Sequence, residues 1–268
     1  MPGLMTNGVN LYFEVRGEGQ PLLMIAGLAS DSQSWLPVVD ELSDHRKLII
    51  PDNRGAGRTN PLNAETSIEK IADDCISLID YLELPSADIL GHSMGGFVAL
   101  DLAIRYPHRV SRLILESTSA FCSPRNNKLF SDWSRYLQDG MTSELWFRNV
   151  FYWIFSEKLF ADERLLQSTV ESAVQYPYQQ TAEAFNNQVT AIGEFNCLED
   201  LKKITCETLA VFGGDDLLFQ PDENSRVLTG IPGVVVSIVV LCQVLSVGIM
   251  RRYSEFHTNV GTHSVADS

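Results

Sequence analysis

The sequence predicts an α/β architecture, a mostly parallel sheet with flanking helices and a helical segment inserted into it. Three observations carry this. Short apolar-rich runs recur at Pro21–Ile25, Lys47–Ile50, Ala87–Leu90, Leu113–Leu115 and Leu209–Phe212, most without the polar alternation of a half-exposed strand, as expected of strands buried on both faces of a parallel sheet. A helical repeat separates the second run from the third, and strand–helix alternation implies right-handed crossovers. From Ser119 to about Leu201 the alternation stops, and an aromatic-rich helical pattern takes its place.

Taken in order, Met1 to Gly8 reads as a short lead-in to a first strand, and Pro21–Ile25 runs unbroken into Ala26-Gly27. The helix before the third run starts at a Thr66…Glu69 capping box and carries Ile68, Ile71, Ala72, Cys75, Ile76, Ile79 and Leu82 on one face. Residues 119–201 contain Trp133, Tyr136, Trp146, Phe147, Phe151, Tyr152, Trp153 and Phe155 and read as a cap. Residues 1–118 and 202–268 then form one core. The strand at Leu209–Phe212 ends in Gly213-Gly214-Asp215-Asp216, and a last strand-like run follows from Val234 to Leu241.

Composition bounds the partners. With 45% apolar and 20% charged residues in 268, the chain has material for a sizeable core. A formal net charge of −14 repels phosphate backbones and anionic lipid, which excludes nucleic acid as a partner class. The five cysteines, Cys75, Cys122, Cys197, Cys206 and Cys242, are odd in number and scattered, so neither a disulfide framework nor a zinc site is indicated. With no signal-peptide pattern, the expected location is cytoplasmic. Val227 to Met250 contains no charge and precedes Arg251-Arg252, in the manner of a membrane anchor. Pro232-Gly233 interrupts it, however, and the remaining 234–250 is shorter than the about 20 residues a span needs. A buried strand followed by a loop is the preferred reading.

The chemistry is concentrated at Gly91-His92-Ser93-Met94-Gly95, which follows the Ile89-Leu90 strand and precedes a helical Phe97–Ala103. A serine hydroxyl is a weak nucleophile at neutral pH, so it must be held exposed beside a base, with donors ready for the oxyanion that forms on attack. Glycines on both sides permit the strained strand-to-helix turn that achieves the first requirement. His92 reads as a packing or hydrogen-bonding neighbour and not as the base, because adjacent side chains on so sharp a turn point apart.

Gly17-Glu18-Gly19-Gln20-Pro21-Leu22-Leu23, Ala26-Gly27-Leu28, Asp52-Asn53-Arg54-Gly55-Ala56-Gly57-Arg58-Thr59, Gly91–Gly96 and Gly213-Gly214-Asp215-Asp216 together resemble the α/β-hydrolase superfamily, and within it the enol-lactonase, esterase and cofactor-free haloperoxidase-like branch. The resemblance covers residues 8 to about 245. It implies that Ser93 is the nucleophile, that the N–H groups of Leu28 and Met94 form the oxyanion hole, and that Asp216 is the triad acid, with Asp215 its rival. Asp52 and Arg54 are read as turn-stabilising. Where the family often has His-Gly before the oxyanion loop, this chain has Ala26-Gly27, which removes a brace from that loop but leaves its donor.

The same resemblance puts the triad histidine just beyond the last strand, and Leu245 occupies that slot. His263, in Gly261-Thr262-His263-Ser264, is the candidate base, and His257 the rival. The tail after Gly233 departs from the family in several ways at once, the pattern of a shifted frame or decaying gene. The expected function is a cofactor-free serine hydrolase, requiring no metal, acting on a small apolar ester or lactone through an acyl-enzyme. The alternative is an impaired descendant that only binds a small ligand.

Overall fold

The computed structural model describes residues 3–239. Eight strands form one sheet: β1 Gly3–Thr6, β2 Val9–Arg16, β3 Gln20–Ile25, β4 Arg46–Pro51, β5 Ala87–His92, β6 Val110–Glu116, β7 Glu207–Gly213 and β8 Val235–Val239. Their spatial order is β1-β2-β4-β3-β5-β6-β7-β8. The first two pairings, β1 with β2 and β2 with β4, are antiparallel, and every other pairing is parallel. The helices are α1 Leu36–Ser43, α2 Ile68–Tyr81, α3 Met94–Arg105, α4 Pro124–Gln138, α5 Ser143–Ile154, α6 Glu157–Phe160, α7 Glu163–Val174, α8 Ala182–Glu194 and α9 Pro221–Leu228.

Period-two geometry explains why the central strands are apolar throughout. Leu22, Met24, Leu48, Ile50, Leu90 and Ile114 point to one face and pack with Trp35, Val38 and Leu42 around α1. Their odd-numbered neighbours Leu23, Ile25, Ile49, Ile89, Leu113 and Leu115 point to the other face, against α2, α3 and the helices between β6 and β7. Each of these strand side chains is at most 3% exposed, and full burial of one is worth about 1.5–3 kcal/mol.

The chain departs from the sequence reading in three places. The lead-in is itself a strand: Thr6 and Val9 pair across Asn7-Gly8, both with positive φ, 44° and 81°, the conformation of a tight hairpin turn. α2 begins one residue later than the Thr66 box implies. Ser67 is the cap, its Oγ accepting the Lys70 N–H at 3.2 Å, while Thr66 Oγ1 donates to the Ala64 carbonyl. The last strand is not buried. Among the described residues β8 stands at the end of the strand order, paired to β7 alone, and leaves Val235 and Ile238 about half exposed, at 48% and 50%. Among the described residues no helix is long and apolar enough to cross a membrane.

Candidate active site

Strand order fixes where the site lies. After β3 the chain moves to β4 on one side and then returns past β3 to β5 on the other. At such a switch point the loops leaving the two neighbouring strands diverge and open a crevice at their carboxyl ends. The loop after β3 carries Gly27 to Asp31, and the turn after β5 carries Ser93.

Ser93 has φ 54° and ψ −115°, a conformation that costs an L-residue about 1–3 kcal/mol and persists only where its surroundings enforce it. The surroundings are explicit. The Ser93 N–H donates to the Glu116 carbonyl on β6 at 2.9 Å, and the Ser93 carbonyl accepts both the Gly96 N–H and the Thr118 hydroxyl at 2.9 Å. Glycine is obligatory at Gly91 and Gly95. A Cβ at Gly91 would lie 2.3 Å from the Gly95 carbonyl oxygen, and one at Gly95 would lie 2.0 Å from that of Ile25.

Ser93 opens on a cavity of about 270 Å³ whose walls include Leu28, Phe130, Trp133, Trp146, Val150 and Phe219. Its described lining has no acidic or basic side chain besides His92, and burial holds the His92 imidazole down to about 4, neutral at physiological pH. A second cavity of about 230 Å³ shares Ala29, Ser30, Trp146 and Phe185 with the first and extends to Asp31 and Tyr176.

The remaining residues singled out from sequence fall as follows. Leu28 lines the Ser93 cavity, and Met94 opens α3 immediately after Ser93. Among the described residues neither N–H is spent on a protein acceptor. Asp216 is 2% exposed, and its Oδ1 accepts the N–H groups of Leu218 at 2.9 Å and Phe219 at 2.7 Å, two residues that line the Ser93 cavity. Asp215 is exposed. Asp52 accepts the N–H groups of Ser32 and Arg58, and Arg54 grips Asp74 through Nε and Nη2 at 2.7 and 2.8 Å, so both serve the turn. His257, His263 and Leu245 lie outside the described residues.

Two further buried polar side chains bear on the site. Glu116, at the end of β6, is 1% exposed, and burial together with the negative charge of Asp216 pushes its carboxyl up to about 8. Gln188, in α8, is fully buried. Its Oε1 accepts the Ala29 N–H at 3.3 Å, and its Nε2 donates to the Arg54 carbonyl at 3.0 Å. A glutamate ending an apolar strand was a readable signal, and so was a glutamine on the buried face of α8, at helical spacing from Phe185 and Ile192.

Residues 20–237 match the family model of the α/β hydrolase fold, and the chain belongs to that family. Over 228 residues it is 28% identical to the protein named "Putative carbamate hydrolase RutD" of Agrobacterium fabrum, covering 83% of this chain and 86% of that one. It is 34% identical to 2-hydroxymuconate semialdehyde hydrolase of Pseudomonas sp. strain CF600 over 134 residues, 48% of this chain and 47% of that protein. Among solved structures, the enol-lactonase of Burkholderia xenovorans superposes with a TM-score of 0.84 at 20% identity, covering 98% of this chain and 100% of that one.

Proposed function

We propose that the chain is a serine hydrolase of small, neutral, apolar esters or lactones, with Ser93 as nucleophile. The observation that carries this is Ser93 itself, a non-glycine residue pinned at φ 54° and ψ −115° at the mouth of an aromatic-walled cavity. Its Oγ attacks the carbonyl carbon, and the histidine base takes its proton. The carbonyl oxygen, now an oxyanion, accepts from the Leu28 and Met94 N–H groups. As the C–O bond breaks, the base returns its proton to the departing alkoxide, and water then repeats the sequence on the acyl-enzyme. Asp216 is the acid that orients the base. This reading assigns the base to His263, with His257 as rival.

The helices between β6 and β7 serve as a cap that supplies most of the apolar wall. The lining also bears on substrate choice. Among the described residues a carbamate anion would meet no cationic side chain in that lining, whereas a neutral acyl group meets aromatic surface, which favours the ester or lactone.

Steady-state hydrolysis of p-nitrophenyl acetate by the full chain tests the assignment. Asp216→Asn is expected to lower kcat by about 10⁴, and His263→Ala to remove activity that His257→Ala retains. Full activity in Asp216→Asn, or in both histidine variants, sinks it.

A further inference from the structure

We infer that Gln188 is a positioning residue for the oxyanion loop, holding the Leu28–Ala29 peptide in the orientation the reaction needs. The inference rests on the proposed role of the Leu28 N–H.

The loop is a turn that does not hold itself. The Ser30 N–H returns to the Gly27 carbonyl at 3.3 Å, closing a four-residue turn over Gly27–Ser30. Its third residue, Ala29, has φ 57°, a position where turns ordinarily place glycine or asparagine. An alanine there favours the alternative turn in which the central peptide is flipped. That peptide is Leu28–Ala29; the Leu28 N–H lies in the preceding Gly27–Leu28 peptide, so a flip reaches the donor through the rearrangement of the turn at the shared Leu28 Cα. Both of its ends are restrained. The Ser30 hydroxyl donates weakly to the Leu28 carbonyl at 3.4 Å, and Gln188 Oε1 accepts the Ala29 N–H. The amide of Gln188 cannot swing away without leaving its other end, the Nε2 donor to Arg54, unpaired in a site with no solvent access.

The chain also needs a brace here. Ala26-Gly27 offers no side-chain donor or acceptor, and the supports come from elsewhere: Asn53 Nδ2 donates to the Ala26 carbonyl at 3.0 Å, and Gln188 reaches in from α8. Two further bonds tie the segment before α8 to the same loops, Tyr176 Oη to Asp31 Oδ2 at 2.5 Å and Gln180 Nε2 to the Gly55 carbonyl at 2.6 Å. The end of the insertion that includes α8 is therefore a fixed buttress for the oxyanion loop.

The test compares Gln188→Met, which keeps the volume and loses both hydrogen bonds, with Gln188→Glu, which in so dry a site is held as the neutral acid and keeps an acceptor for the Ala29 N–H and a hydroxyl donor for the Arg54 carbonyl. Gln188→Asn, one methylene shorter, withdraws that acceptor and serves if the methionine variant does not fold. Loss of one oxyanion donor costs about 10²–10³ in kcat, so misorientation of one is expected to cost about ten- to a hundredfold. The expected result is that loss in kcat for p-nitrophenyl acetate in Gln188→Met or Gln188→Asn, with KM unchanged and near-full kcat in Gln188→Glu. Equal loss in all variants, loss in KM alone, or no loss overturns the inference. Amide hydrogen exchange at Ala29 reads the tether independently of turnover. Protection should vanish in Gln188→Met and persist in Gln188→Glu, and unchanged protection in the methionine variant also overturns it. A wild-type chain that shows Ala29 protection but no turnover contradicts the reading of Ser93 and, with it, any catalytic role for Gln188.

Discussion

The backbone of Glu116 holds Ser93 in place, its carbonyl accepting the Ser93 N–H at 2.9 Å, while the side chain of the same Glu116 lies fully buried in the field of Asp216. One strand end thus fixes the nucleophilic turn through its main chain and carries, on its side chain, a carboxyl that burial and Asp216 push up to about 8.

That carboxyl makes stability depend on pH. In the unfolded chain Glu116 ionises near its ordinary value of 4.5, whereas burial and Asp216 keep it protonated in the folded chain up to about 8. Across that window the unfolded state releases a proton that the folded state retains, so stability falls as pH rises. Glu116→Gln removes this dependence. Urea unfolding midpoints of variant and parent should nearly coincide at pH 4.5 and separate by pH 8.5, the variant being more stable by at least about 1 kcal/mol. Parallel curves across the range would show that Glu116 is not held neutral.

Arg54 and Asp74 form an ion pair with side chains only 3% and 2% exposed. Removing one partner of such a pair strands the other charge in a dry site and costs about 3–5 kcal/mol, whereas removing both costs far less. Asp74→Asn should therefore lower the unfolding free energy by that order, and the double variant Arg54→Met, Asp74→Leu should recover much of it. Additive losses in the cycle of Arg54→Met, Asp74→Leu and their double variant would show that the two charges do not act as a pair.

Ile154 lines the Ser93 cavity, and a phenylalanine there fills part of its about 270 Å³. Ile154→Phe should lower kcat/KM for p-nitrophenyl hexanoate at least about tenfold relative to its effect on the acetate, since each methylene excluded from an apolar pocket is worth about 1–3 kcal/mol. An equal effect on both esters would place the acyl chain elsewhere.

Much of the fold was legible because burial on two faces leaves few residue types open to a central strand. Pro21–Ile25 and Leu209–Phe212 carry that constraint openly, and Gly91 and Gly95 announce the turn because any Cβ there meets a carbonyl oxygen. The hairpin at Asn7-Gly8 was also readable, since that dipeptide suits two successive positive φ angles. β8 was misjudged because apolar composition reports propensity and not position, and an end strand can be as valine-rich as a central one. What Gln188 and Glu116 do was hidden for a different reason. Each matters through a partner distant in sequence, Ala29 and Asp216, so neither could be valued before the fold brought those residues together.

The central claim is that Ser93 is an activated nucleophile. The most direct measurement is mass spectrometry of the purified full-length chain after reaction with a fluorophosphonate, with peptide mapping of the adduct. Stoichiometric modification at Ser93 is expected, with no adduct in Ser93→Ala and an at least about 10³-fold loss of p-nitrophenyl acetate hydrolysis in that variant. A folded chain that takes up no reagent, or takes it up at another residue, would contradict it.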